Sequence, residues 1–207
     1  MPWIKNSTKK DKDILFIHIP KTGGSFITQQ LLCYGNNYLR SISSLHPITQ
    51  HYTLSDFISN YDIDVEETFI FSLVRHPGSK IMSSYKFCKN TRRKFDSFDG
   101  YLDMISWAMS SRSTVFNYEY LTKYFYDHRI DLNHIKPQRE FVDFANVPIH
   151  FYRVEDQLNV FKEKMSCEFS IDLSNLSYPN DHFNSMSLEQ EYRIMDLYKD
   201  DLDYFKW

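Results

Sequence analysis

Residues 14–26 read Ile14-Leu15-Phe16-Ile17-His18-Ile19-Pro20-Lys21-Thr22-Gly23-Gly24-Ser25-Phe26, and the fold is decided there. The run from Ile14 to Ile19 is short and almost wholly apolar, as expected of a parallel strand buried on both faces. Pro20 ends it. After the Lys-Thr-Gly-Gly-Ser turn, apolar residues recur at helical spacing over 26–34 and stop near Gly35. Strand, glycine turn and helix make the opening unit of an α/β fold.

Working outward, residues 45–51 suggest a second short strand, weakened by Pro47, and Thr53-Leu54-Ser55-Asp56 opens a helix through Tyr61. Thr68-Phe69-Ile70-Phe71-Ser72-Leu73-Val74 is the clearest further core strand. His76-Pro77 ends it, and residues 79–88 read as a helix with Pro77 near its first turn. Residues 98–144 are aromatic-rich and mostly helical in pattern. A late strand over 147–152, a helix over 155–165, a polar loop over 175–185 and a last helix from 188 to about 205, capped by Ser187, complete the chain. The expected architecture is a P-loop-like three-layer α/β fold, with a central, mostly parallel sheet flanked by helices. One domain over 1–207 is expected, with residues 1–13 as a flexible N-terminal segment.

Composition excludes several classes. The 207 residues carry a formal net charge of -3, so no global basic field advertises nucleic-acid binding. Three scattered cysteines, Cys33, Cys88 and Cys167, make no disulfide framework. The eight histidines include no HExxH or Cys/His cluster, so no metal is expected. No apolar run reaches the length of a membrane span. The expectation is a soluble, cytoplasmic protein.

The first turn carries anion chemistry. Gly23 and Gly24 let backbone approach an oxyanion, and the following helix offers unpaired N–H groups at its positive end. Lys21 adds a mobile charge, and Thr22 and Ser25 add hydroxyls. A Walker A loop needs its lysine after the last glycine, whereas Lys21 precedes both, so an ATPase or GTPase reading fails on residue order.

With Pro20-Lys21-Thr22-Gly23-Gly24-Ser25 after one strand and Leu73-Val74-Arg75-His76-Pro77-Gly78-Ser79-Lys80-Ile81-Met82-Ser83-Ser84-Tyr85 after another, the chain resembles the sulfotransferases that use 3′-phosphoadenosine 5′-phosphosulfate (PAPS), specifically the Golgi-type carbohydrate sulfotransferases and their bacterial relatives. The resemblance implies that Lys21, Thr22, Gly23, Gly24, Ser25 and Phe26 hold the 5′-phosphosulfate. It implies that Arg75 and Ser83 hold the 3′-phosphate, with Lys80 in place of the family's second basic residue. His134-Ile135-Lys136-Pro137-Gln138 and Tyr152-Arg153-Val154-Glu155 are similar to further family segments. The activity implied is sulfuryl transfer from PAPS to a hydroxyl of a carbohydrate-like acceptor, without a metal, leaving 3′-phosphoadenosine 5′-phosphate (PAP).

Such an in-line displacement needs cationic stabilisation of the departing phosphate and a base for the acceptor hydroxyl. Lys21 fits the first task. His51 matches the family's histidine base, and an ordinary histidine pKa of about 6.5 suits the role. His46 and the Glu66-Glu67 pair remain rivals. His18 is expected to pack or orient the loop, and His76 to shape the second turn. Lys86, Lys89, Arg92, Arg93 and Lys94 form a basic cluster read as a solvated helix end. The alternatives are a P-loop kinase-like enzyme, which would show magnesium-dependent ATP turnover, and a nucleotide-binding protein without transfer activity, which would bind PAP but sulfate nothing.

Overall fold

A computed structural model describes residues 3–5, 12–31, 36–37, 51–90, 95–111, 132–144, 146–178 and 186–207. Residues 45–50 of the suggested second strand, His46, Arg92, Arg93 and Lys94 lie outside the described residues. The described residues group into two compact units, 1–75 with 138–179, and 76–137 with 180–207.

The first unit is built on a five-stranded sheet, ordered β3-β1-β2-β4-β5. Its strands are β1 (Trp3–Lys5), β2 (Asp13–Ile17), β3 (Asn36–Asn37), β4 (Thr68–Val74) and β5 (His150–Arg153). β2, β4 and β5 run parallel, with Leu15 opposite Ile70 and Leu73 opposite Tyr152. β1 and β3 add an antiparallel edge. All seven residues of β4 are buried, which is why it reads as an unbroken apolar run.

Helices α1 (Gly24–Leu31), α2 (Leu54–Asn60), α5 (Arg139–Val142) and α6 (Leu158–Phe169) also belong to this unit. On one sheet face, Phe16 and Phe71 stack with centroids 5.0 Å apart and join a core with Ile27 of α1 and Phe161 and Met165 of α6. Burying each such ring or aliphatic side chain favours the fold by roughly 1.5–3 kcal/mol. α2 begins with a reciprocal cap. The Thr53 hydroxyl accepts from Asp56 N while the Asp56 carboxylate accepts from Thr53 N, an arrangement contributing about 1 kcal/mol. α6 ends on Ser170 in the left-handed region, with Ile171 N donating to Met165 O, so serine takes the place usually given to glycine.

The N-terminal expectation needs revision at Trp3–Lys5. Trp3 and Ile4 are buried, and the Trp3 indole N–H donates to Asp13 at 3.2 Å. Two apolar residues among lysines gave too short a pattern to read as a strand, yet pairing with β2 buries both.

The second unit contains α3 (Pro77–Asn90), α4 (Phe98–Ser111), α7 (Leu188–Leu197) and α8 (Lys199–Phe205). Ile81, Tyr101, Leu102, Ile105, Ile194 and Tyr198 form its buried core. Pro77 stands at the first helical position, where its missing N–H costs nothing. The expected single last helix is broken at Tyr198, which leaves helical ψ and sends its buried hydroxyl to Ile135 O. No glycine or proline announces that break, because a tertiary hydrogen bond makes it.

Candidate functional site

β2 delivers the chain to the first turn, whose shape is set by buried side chains. His18 is 2% exposed, and its ring lies where a Gly24 Cβ would go, 2.0 Å from His18 Cδ2. Gly24 is therefore required by His18 as well as by any anion. Thr22 is fully buried, and its hydroxyl donates to Ile19 O at 2.9 Å, so it shapes the turn from within. Phe26 N donates to Gly23 O at 3.1 Å, and the Phe26 ring packs against the core. Ser25 is exposed in the first turn of α1, where backbone N–H groups lack intrahelical acceptors. Lys21 is half-buried with φ 69°, and Gly23 has φ 87°.

β4 ends beside this turn. Arg75, 3% exposed, donates from Nη1 to Lys21 O at 3.1 Å. Its backbone is clasped by the buried Gln138 amide: Arg75 N donates to Oε1 at 2.9 Å, and Nε2 donates to Arg75 O at 2.7 Å. The Gln138 side chain thus continues the ladder where β4 runs out. The guanidinium lies over the Tyr178 ring at 4.5 Å. Burial pulls Arg75 below the usual guanidinium value, and Tyr178 and Glu155 push back. It stays charged. Among the described residues, Arg75 Nε is buried without an acceptor. A buried cation with an unsatisfied donor beside a double-glycine turn is chemistry that an anionic ligand completes.

His51 reaches the same strand end. Its ring meets His18 edge-on at 4.9 Å, and Nδ1 hydrogen bonds to His18 O at 3.3 Å. A carbonyl only accepts, so Nδ1 carries the proton and Nε2 is the basic atom. Glu66 and Glu67 precede β4 and are exposed. The seven residues of β4 span roughly 23 Å at about 3.3 Å each, which removes this pair from Arg75 and the turn. A groove of about 240 Å3 opens near the start of these strands, lined by Lys12, Glu66, His150, Lys164 and Glu168. Its Lys164 and Glu168 already pair at 2.9 Å, and open α/β sheets bind ligands at the other strand ends.

In the second unit, the His76 ring accepts from Gly78 N at 3.2 Å and caps α3, and burial lowers its pKa. Ser83 is half-buried on the same helix, while Ser84 is buried against the Tyr101 hydroxyl at 2.7 Å. Lys80 is fully buried, and its ammonium donates to His134 O at 3.0 Å and Lys136 O at 2.9 Å. Two of its three N–H donors are thus directed at main-chain carbonyls. They tie α3 to the segment after His134.

The sequence reading gave no part to Tyr178 or Gln138, which bond to Lys21 O and to the Arg75 backbone. Gln138 lay within a family-like segment but had no assigned role. Tyr178 sat in a stretch read as polar loop, where the signal was an aromatic directly before Pro179.

Among the described residues, no group of three or more His, Cys, Asp and Glu gathers as metal ligands, and no helix is long and apolar enough to cross a membrane. A family model described as the sulfotransferase family matches residues 7–207. Neither the curated proteins nor the solved structures contain a match to this chain.

Proposed function

The chain belongs to the sulfotransferase family, and from that premise we propose that it moves a sulfuryl group from PAPS to a hydroxyl of a carbohydrate-like acceptor. The observation that carries the reading is Arg75: buried, tied to the carbonyl of Lys21 in the double-glycine turn, and, among the described residues, left with Nε lacking an acceptor. The donor set fits an anionic nucleotide. PAPS supplies the sulfuryl group.

The chain's own residues do the rest. Lys21, Thr22, Gly23, Gly24, Ser25 and Phe26 make up the turn assigned to the phosphosulfate end. Arg75 and Ser83 are assigned to the 3′-phosphate, which a guanidinium fork suits. Lys21 stabilises charge on the departing phosphate. His51 Nε2 takes the acceptor proton, and the His18 carbonyl keeps the imidazole in the tautomer that can do so. Residues 1–207 act as one sulfotransferase domain, and no metal takes part. The carbohydrate-like acceptor rests on the likeness to carbohydrate sulfotransferases. A cytoplasmic site of action suits Cys88 and Cys167, neither of which is in a disulfide.

The test is transfer of label from PAPS to a panel of saccharide acceptors in the presence of a chelator. His51→Ala is expected to keep PAP affinity while losing roughly 100- to 10,000-fold in turnover at saturating PAPS. Lys21→Ala should weaken binding and turnover together. Activity that vanishes in chelator and returns with magnesium would contradict the reading.

A further inference from the structure

Lys21 has a Cβ and φ 69°, inside the left-handed region. For a residue other than glycine this conformation is disfavoured by about tenfold in population, and it persists only where neighbours over-determine it. Two donors converge on its carbonyl: Arg75 Nη1 at 3.1 Å and the Tyr178 hydroxyl at 3.2 Å. A carbonyl has two lone pairs, so both are accommodated.

Tyr178 touches more than that oxygen. Its ring lies 4.5 Å under the Arg75 guanidinium carbon. The same ring sits against Gly23, where an added Cβ would come within 3.3 Å of Tyr178 Cε2. Gly23, at φ 87°, adopts its conformation without a side-chain penalty. Lys21 is the residue in this turn whose backbone needs holding.

We infer that Tyr178 is a positioning residue for the turn, holding the Lys21 carbonyl so that Lys21 stays left-handed and the following glycine backbone keeps its ligand-binding shape. The inference rests on the proposed nucleotide site. Burial raises the Tyr178 pKa, so the phenol remains a protonated donor across the working range of pH.

The experiment compares wild type, Tyr178→Phe, Lys21→Gly, Lys21→Ala and the two double variants. Tyr178→Phe keeps the ring and its stacking and removes only the hydroxyl. One readout is the backbone coupling and chemical shift of residues 21–24 in isotope-labelled, ligand-free protein. The other is PAP affinity by calorimetry. Tyr178→Phe should abolish the positive-φ signature of Lys21 and weaken PAP by about tenfold, the population factor above. In the Lys21→Gly background, where the conformation needs no support, the same substitution should cost less than about twofold. In the Lys21→Ala background the tenfold cost should return. An equal cost in all three backgrounds, or an unchanged Lys21 signature in Tyr178→Phe, would overturn the inference. A wild type that binds no PAP while the coupling pattern matches expectation would sink the nucleotide reading and leave the hold on Lys21 standing.

Discussion

Arg75 and Lys80 lie five residues apart in the chain, one closing a strand of the first unit and the other on a helix of the second. Both are buried cations. Lys80 donates to two main-chain carbonyls, His134 O and Lys136 O, and lies 5.6 Å from the Tyr198 ring centroid. Arg75 gives one guanidinium N–H to Lys21 O, rests on Tyr178, and keeps Nε without an acceptor among the described residues. Burial alone therefore does not mark a ligand-binding cation. What separates the two is where the donors go: two of the three on Lys80 meet main-chain carbonyls and so cross-link the backbone of its unit.

The largest expected effect tests the structural half of that contrast. Lys80→Met keeps volume but removes the ammonium from two buried carbonyls. It should cost roughly 3–5 kcal/mol of stability, since bonds to charged groups contribute about 1.5–3 kcal/mol each. Urea denaturation would measure it. The folded fraction should bind PAP within about threefold of wild type. Unchanged stability with lost PAP affinity would reverse the roles of the two cations.

A smaller effect is expected at Ser83, the half-buried hydroxyl proposed to assist Arg75. Ser83→Ala should weaken PAP by tenfold or less, about 1 kcal/mol, as for a single hydrogen bond. Ser84→Ala serves as the control. It breaks the buried contact with Tyr101 and should lower stability by about 1–2 kcal/mol while sparing PAP affinity. Calorimetric titration of both variants separates the two serines, and equal PAP loss in both would blur the contrast.

Legibility in the sequence tracked the range of the forces involved. β4 was read to its exact bounds because a strand buried on both faces shows as an uninterrupted apolar run. The cap of α2 was readable because Thr53 and Asp56 are three residues apart. β1 was missed because two apolar residues become a strand only through pairing with β2. The split of the last helix was missed for the same kind of reason: Tyr198 bonds to Ile135, far away in sequence. In the candidate site, Lys21, the glycines and Arg75 were singled out from spacing and resemblance, and Arg75 donates to the Lys21 carbonyl. The resemblance put Lys80 in place of the family's second basic residue, and its bonds to His134 O and Lys136 O were not legible because those carbonyls lie more than fifty residues away in the chain. Tyr178 was invisible, since its partners Lys21 and Arg75 lie 157 and about 100 residues upstream.

The most direct test of the central claim is the binding of PAP against adenosine 5′-phosphate, which lacks the 3′-phosphate, to wild type and to Arg75→Ala. At 100 times its dissociation constant, PAP should raise the apparent stability of wild type by about 2.7 kcal/mol. Adenosine 5′-phosphate at the same concentration should do far less. In Arg75→Ala the advantage of PAP should collapse, with its affinity down on the order of 100-fold. Equal binding of both nucleotides by wild type, or an Arg75→Ala protein that still prefers PAP as wild type does, would contradict the account.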